Sequence, residues 1–410
     1  MKTNSKSKPD KKSIMIIGAG NVQIPLIEAA KRENYHTLVC DFNPKAPGVS
    51  LADEFCEVST KDRFGLLSVA KDRHIDGIVA NSEYAMCDAA YIANELGLVG
   101  NPENAVDIFS SKSGFRTFQN KEGLFAPAFL PDDKIEQLLT DDRSFPFPAV
   151  IKPDQNSGTR GVALVMDAYD RGAIDQAIRT ARTISRNGKA IAEEYIPMPS
   201  QMVIEGEIFI HHGEILWEGL FHTVRSKTTP MIPMTYVFPL QETERKTMLL
   251  KEALIKAFRS AGIQHGEYNI EMFFTPDERP FLIEINPRQG GNDLPRYVQE
   301  SCGFDFTRML VTTAMGDDDY WDSLKGFKRQ KVCITHHMLF PRKNGRFRGF
   351  QIAEALSDCI YRTHLDIRIG DEVEETVDGS SSIGYVDLRF SEPEEQMNVS
   401  NHLEEMIQQK

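Results

Sequence analysis

Two rhythms of apolar and polar positions run along this chain, and the order in which they alternate predicts its elements. Residues 13–17 form an apolar strand, Gly18-Ala19-Gly20-Asn21 a turn, and an apolar-periodic helix runs from there to about 32. A second strand, 36–40, ends at Asp41; a helix near 64–71, a strand at 77–80, the polar loop Asn81-Ser82-Glu83 and a helix to about 96 follow. Repeated strand–helix units predict a parallel, doubly wound sheet, with Gly18, Asp41, Asn81, Ser82 and Glu83 lining the crevice at the strands' carboxyl ends.

Beyond about 100 the rhythm changes. A strand at 148–153 ends in Lys152-Pro153, a polar glycine loop spans 154–162, and a strand at 163–166 and a helix at 171–186 follow it. The strand 189–192 runs into Glu193-Glu194-Tyr195-Ile196-Pro197, and further strands are expected at 202–210 and 215–222. Residues 223–239, rich in proline, methionine and aromatics, are expected to be irregular, either covering a pocket or packing over the sheet. The strands 268–274 and 281–285, joined by Thr275-Pro276-Asp277-Glu278, form a hairpin. The last ninety residues predict strands at 331–340, 361–368 and 384–390, a helix near 352–358 and a final helix at 399–407.

The hairpin is where chemistry concentrates. On antiparallel strands Glu271 and Glu284 can share a face, and with the Asn286 amide oxygen they make a hard-oxygen set suited to magnesium. The alternative is a half-buried hairpin with solvated acids. Arg288, Gly290, Gly291 and Asn292 follow at once. In the 154–162 loop, Ser157, Gly158, Thr159 and Gly161 can turn backbone N–H groups toward phosphate, with Lys152 and Arg160 adding charge, although no G-K-[ST] opens a helix there. An ordinary hairpin loop is the other reading. Lys112 and Arg116 share a helical face, where two cations are either solvated or functional. Gly18-Ala19-Gly20 with Asp41 fits a dinucleotide turn, but Ile24 or Pro25 stands where a third glycine belongs, and a tight turn alone explains the pair. Neither His211-His212 at a turn nor His336-His337 on alternate strand faces reads as a metal site, and Arg342, Lys343, Arg346 and Arg348 fit a hairpin tip, solvated or facing an anionic substrate.

Charge removes several classes. With 47 basic and 60 acidic residues in 410, the net charge of −13 argues against a nucleic-acid binder and leaves no basic stripe for a membrane surface. No apolar run approaches the ~20 residues of a membrane helix. Residues 1–12 hold five lysines with no apolar stretch of signal-peptide length behind them, and are expected to be a disordered lead-in. Six cysteines without ligand-like spacing suggest reduced thiols and a cytoplasmic protein.

Taken in order, Lys112, the Val150-Ile151-Lys152-Pro153 lysine, the 157–162 loop, Glu193-Glu194-Tyr195-Ile196, Glu271 and Glu284-Ile285-Asn286-Pro287-Arg288 resemble the ATP-grasp superfamily, in its carboxylate–amine ligase branch that includes the L-amino acid (dipeptide) ligases. The resemblance covers roughly 13–315. It implies an α/β and α+β protein: a Rossmann-like pre-ATP-grasp domain at 13–110, an ATP-grasp domain at 111–315 with a flap subdomain at about 145–200, and a small β-rich subdomain at 316–410. Lys112, Lys152 and the loop residues Ser157, Gly158, Thr159 and Gly161 would bind ATP phosphates, and Glu193, Glu194, Tyr195 and Ile196 adenine. Gln201 stands where the family places a ribose-binding acid, so Gln201 or Glu205 takes that place. Glu271, Glu284 and Asn286 would hold Mg2+, with Mn2+ as a substitute, and Lys152 and Arg288 would be catalytic. The substrate pocket would lie among His222, Arg225, Tyr236, Arg288, Gly290, Gly291 and Asn292, with Arg225 or Arg296 pairing an α-carboxylate.

The implied activity joins a small carboxylate to an amine through an acyl phosphate, releasing ADP and phosphate, in a cytoplasmic protein that binds neither nucleic acid nor membrane, with a homodimer as the family-level expectation. Purine-pathway and acid–thiol ligases remain alternatives within the superfamily. An NAD-dependent oxidoreductase built on Gly18, Gly20 and Asp41, or a non-catalytic nucleotide-binding protein, are the alternatives outside it.

Overall fold

Ser13–Ile17 (β1) is buried at all five positions because it runs between two parallel neighbours with helices on both faces. In this computed structural model, which describes residues 11–140, 144–156, 158–200, 202–227, 232–327, 331–376, 379 and 381–410, β1 lies beside His36–Asp41 (β2) and Gly77–Val79 (β4), and Glu54–Glu57 (β3) closes the order β3-β2-β1-β4. Ile14 and Ile16 face Leu26, Ile27 and Ala30 of the helix Ile24–Arg32, together with Val311, Ala314 and Met315 from far along the chain. Met15 and Ile17 face Leu66, Ala70, Ile92 and Ala93 of the helices Arg63–Arg73 and Met86–Leu96. The parallel, doubly wound reading holds.

A second sheet is antiparallel, in the order β5-β8-β6-β7, from Phe129–Leu130 (β5), Ala149–Pro153 (β6), Ala163–Val165 (β7) and Ala190–Glu194 (β8). The helix Arg171–Ile184 covers one face with Ile174, Ala177, Ile178 and Ala181, an i, i+3, i+4, i+7 stripe.

The largest sheet contains Met202–His211 (β9), Glu214–Arg225 (β10), Pro233–Phe238 (β11), Gly266–Phe274 (β12), Pro280–Asn286 (β13) and Cys333–Leu339 (β14). Gly345–Arg346 (β15), Phe350–Ile352 (β16), Ile360–Leu365 (β17), Glu372–Val373 (β18), Gly384–Phe390 (β19) and Ile407–Gln409 (β20) follow, and the sheet order is β13-β12-β9-β10-β11-β14-β19-β17. The short strands pair separately as β15–β18 and β16–β20. One face packs on the helix Glu244–Ala261 through Ile204, Ile208, Leu220 and Ile270; the other packs on the helices Leu294–Cys302 and Phe306–Ala314 through Phe209, Phe221 and Tyr236. Period-2 alternation sorts these residues.

Three expectations are corrected. The described residues of 223–239 are largely strand, not irregular: β10 continues to Arg225, and Met234, Tyr236 and Phe238 alternate with Thr235 and Val237 in β11. Pro233 and Pro239 stand at or beyond its ends, where a missing N–H breaks no interior ladder. Near 352–358 there is only the 3₁₀ turn Glu354–Leu356, and the terminal helix is two short ones, Pro393–Ser400 and Leu403–Met406. In the last ninety residues β14, β19 and β17 extend the sheet that carries β12 and β13, while β15–β18 and β16–β20 pair by themselves. Among the described residues no helix is long and apolar enough to cross a membrane.

Candidate active site

Strand register puts the acids in rows. Glu271 of β12 pairs with Glu284 of β13 on one side and Glu205 of β9 on the other, so three carboxylates cross three neighbouring strands in line. One pleat along the same face, Asn269 pairs with Asn286 and with Glu207. Directly opposed side chains lie ~5 Å apart at Cβ. Such a row is self-repelling unless positive charge comes to it. Arg225, buried at the end of β10, ion-pairs with Glu271, and the Lys112 ammonium lies 3.8 Å from Glu284 Oε2.

The fields around the row differ from end to end. Burial pushes the Glu205 carboxyl up to about 7, with Glu284 and Glu207 adding to the rise and Arg225 and Thr223 opposing it. Burial acts on Glu284 too, but Lys112, the Asn286 amide, Arg288 and Lys152 together hold it below the usual carboxylate range. The donors converging here are carboxylate and carboxamide oxygens, which suit a hard divalent cation such as Mg2+. Positive side chains already drawn onto the row support that fit.

Across the cleft, Lys152 donates to Glu193 Oε2 at 2.7 Å, and the Arg116 guanidinium lies 3.0 Å from Glu193 Oε1. Arg116 also donates to the carbonyls of Leu282 and Ile283, which ties the 112–121 helix to β13. Burial pulls the Lys152 ammonium down to about 8, with Glu193 opposing. Burial raises Glu193 as well, yet Arg116 and Lys152 outweigh it and hold its carboxyl at about 2. Lys112 donates to the Asn156 carbonyl (3.0 Å), so the loop after β6 is held to the row through one lysine.

These parts line one cleft of about 1020 Å³. Lys112, Lys152, Gly158, Thr159 and Glu193 through Ile196 line it together with Arg225, Tyr236, Glu271, Glu284, Arg288 and Gly290 through Asn292. Asn286 sits in an adjoining recess with Lys112 and Glu284, donating from Nδ2 to Glu284 Oε1 at 2.9 Å. Ser157 and Gln201 lie outside the described residues. Gly161 is not on the cleft wall: it turns the loop with φ +74°, and a Cβ there would come within 2.9 Å of Ile184 Cδ1.

His222 is corrected. Alternation turns it to the face of β10 opposite Thr223 and Tyr236, where it is buried and hydrogen-bonds the Gln241 carbonyl at 2.9 Å. The Gly290 N–H donates to both oxygens of Glu207. Asn292 donates to the Tyr236 hydroxyl at 2.9 Å, and Arg288 to Glu83 Oε1 at 2.8 Å.

Glu207 belongs to these rows and was not named from the sequence; Arg116 was named only as a helix-face cation, solvated or functional, and Glu205 only as an alternative to Gln201 for the ribose. Their signals were the i, i+4 spacing from Lys112 and two acids at alternate positions of an otherwise apolar strand. The glycine turn after β1 is filled from within: Gln23 Oε1 accepts the Gly20 N–H at 3.0 Å, Asp41 accepts the Ala19 N–H at 2.8 Å, and a Cβ on Gly18 would lie 3.1 Å from Gln23 Cδ. A pyrophosphate would have to displace both side chains, which argues against the dinucleotide alternative.

Residues 145–295 match the family model described as an ATP-grasp domain. The chain carries an ATP-grasp domain. Along its length it is similar to the uncharacterized protein y4rH of Sinorhizobium fredii, 23% identical over 371 residues that cover 88% of this chain and 74% of that one. It is also similar to the formate-dependent phosphoribosylglycinamide formyltransferase of Wolinella succinogenes, 24% identical over 70% of this chain and 73% of that protein. The crystal structure of an L-amino acid ligase from Bacillus licheniformis superposes with a TM-score of 0.76, covering 98% of this chain and 99% of that one at 18% identity. At that identity the likeness is one of fold.

Proposed function

We propose that this ATP-grasp protein is an ATP-dependent carboxylate–amine ligase acting on amino acids or similarly small metabolites. The carrying observation is the meeting of two charge sets at one cleft: the Glu205–Glu271–Glu284 row, with Asn286 in the adjoining recess, and Lys112, Lys152 and Arg288 around it. A carboxylate does not react with an amine at neutral pH because its leaving oxygen is too poor. Transfer of the γ-phosphoryl group of ATP to a carboxylate oxygen gives an acyl phosphate and ADP. The amine then attacks the carbonyl carbon, the carbon–oxygen bond breaks, phosphate leaves with the electron pair, and the amine nitrogen gives up a proton.

Bound Mg2+ would neutralise phosphate charge during the transfer. Glu271, Glu284 and Asn286 are the residues to hold it. Lys112 and Lys152 bind the nucleotide phosphates, and the loop carrying Gly158 and Thr159 keeps water from the acyl phosphate. Arg288 faces the transferring group and the tetrahedral oxyanion that follows. Arg225 and Tyr236, at the sheet end of the cleft, orient the acid and the amine. The names of the Wolinella and Bacillus relatives, a formate-dependent formyltransferase and an amino acid ligase, describe acid-plus-amine chemistry and support this reading.

The test is ATP- and Mg2+-dependent phosphate release across pooled small carboxylates and amines. Release is expected only when one acid and one amine are both present, and Glu284→Gln should lower it at least 100-fold. Release from ATP alone, or an unimpaired Glu284→Gln enzyme, would sink the proposal.

A further inference from the structure

Outside the lining of the cleft, the turn between β9 and β10 brings together groups that no step above uses. His211 ends β9, and His212 and Gly213 both take positive φ, +48° and +75°. Neighbours in a strand point to opposite faces, but two successive left-handed residues turn the chain sharply, and the two imidazoles come side by side with centroids 4.4 Å apart. Both Nε2 atoms aim at one oxygen, Asp318 Oδ1, at 2.9 and 3.3 Å. One ligand atom from each of the three residues lies within 4.8 Å of the others. The tandem histidines were set aside in the sequence because neither their spacing nor a turn position suggests ligands; the turn geometry and a carboxylate more than a hundred residues away supply what was missing.

We propose that His211, His212 and Asp318 form a binding site for a borderline divalent transition metal of the Zn2+, Co2+ or Ni2+ kind, separate from the oxygen-donor row of the ATP cleft. Two imidazoles and a carboxylate suit such an ion and are poor for Mg2+. The supporting shell is in place. The Thr313 hydroxyl is 2.9 Å from His211 Nδ1, which fixes the ring with Nε2 outward, and the Trp321 indole lies 4.9 Å from the same ring. His212 and Asp318 are more than half exposed, so the ion has an entry path and water completes its coordination. His265, whose ring is 4.8 Å from that of His212, closes the third side. A bound ion would tie the β9–β10 turn to the loop at 315–318, joining the large sheet to the helix Phe306–Ala314, on which the parallel sheet β1–β4 packs.

Trp321 makes the site readable without any activity assay. Co2+ titrated into metal-free, tag-free full-length protein, with excess Mg2+ to occupy the oxygen sites, should quench tryptophan fluorescence saturably near one equivalent and raise Tm. Trp321→Phe should remove most of that quench while leaving the Tm rise. His212→Asn keeps a side chain that tolerates the left-handed conformation, and with Asp318→Asn it should weaken Co2+ binding at least tenfold. Both positions are exposed enough to leave the fold intact. No saturable quench in the wild type, or the same binding in His212→Asn and Asp318→Asn as in the wild type, overturns the proposal.

Discussion

Lys152 and Glu193 show how much the site depends on single buried charges. Lys152, Glu193 and Arg116 are each at most 8% exposed at the side chain, and Glu193 is the shared partner of two cations. Its carboxyl sits at about 2 in the folded protein against 4.5 ordinarily, so it adds stability that is fully present above about pH 4.5 and is lost as pH falls toward 2. Glu193→Gln leaves two buried cations with a neutral partner and should cost about 3–5 kcal/mol at pH 7. It should also flatten the acid limb of the stability curve. Denaturant unfolding of both proteins from pH 7 down to 3 checks this, and a constant difference across that range would show that Glu193 is not the group titrating. Lys152 was legible from its place at the end of an apolar strand. Arg116 was not, because i, i+4 from another cation describes a solvated helix face equally well, and only the approach of β13 and β8 decides between them.

Among the elements, the loop from β6 to β7 separates two reasons for a glycine. Gly158 and Gly161 have nearly the same positive φ, +73° and +74°, but a Cβ on Gly158 meets nothing within 4 Å while one on Gly161 runs into Ile184 and Pro153. An L-residue in this conformation costs roughly 1–2 kcal/mol. Alanine at Gly158 should cause that loss alone, whereas alanine at Gly161 adds overpacking and should cost about 1–3 kcal/mol more. Because Gly158 and Thr159 hang over the cleft, Gly161→Ala should also raise the KM for ATP several-fold more than Gly158→Ala does; equal effects in both variants would mean that packing under the loop does not set its position. The glycine pattern made this loop readable from the sequence. The strand β11 was not, since its flanking prolines imitate an irregular segment when they stand only at the ends of a regular one. His222 was misplaced for a related reason: the pleat, not proximity along the chain, decides which face a residue joins, and the phase of β10 is set by its partners β9 and β11.

At the scale of the whole molecule, the parallel sheet β1–β4 with its helices contributes to the site. Its packing on the helix Phe306–Ala314 is reinforced by Tyr35, which donates to Asp317 at 2.7 Å, and by the Arg308–Glu33 pair. From that anchorage the loop after β4 extends Glu83 into the cleft, where one carboxylate oxygen meets Arg288 at 2.8 Å and the other meets Arg186 at 2.7 Å. Arg288 follows β13 and Arg186 follows the helix Arg171–Ile184, so one acid links the loop after β4 to both. The sequence placed Glu83 at the mouth of a crevice but could not name its partners, which lie 205 and 103 residues away. If Glu83 sets the direction of the Arg288 guanidinium, Glu83→Gln keeps the shape but loses the charge-assisted bonds, worth about 1.5–3 kcal/mol each. The expected result is a 10- to 100-fold fall in kcat/KM for the acid, with a smaller change in ATP affinity and a Tm within a few degrees of the wild type. Glu83→Asp keeps the charge but is one methylene too short to reach both arginines, and should recover only part of the loss. An unchanged kcat/KM in Glu83→Gln would mean that Arg288 finds its catalytic position without the loop after β4, and that the Glu83 contact holds the molecule together without directing its chemistry.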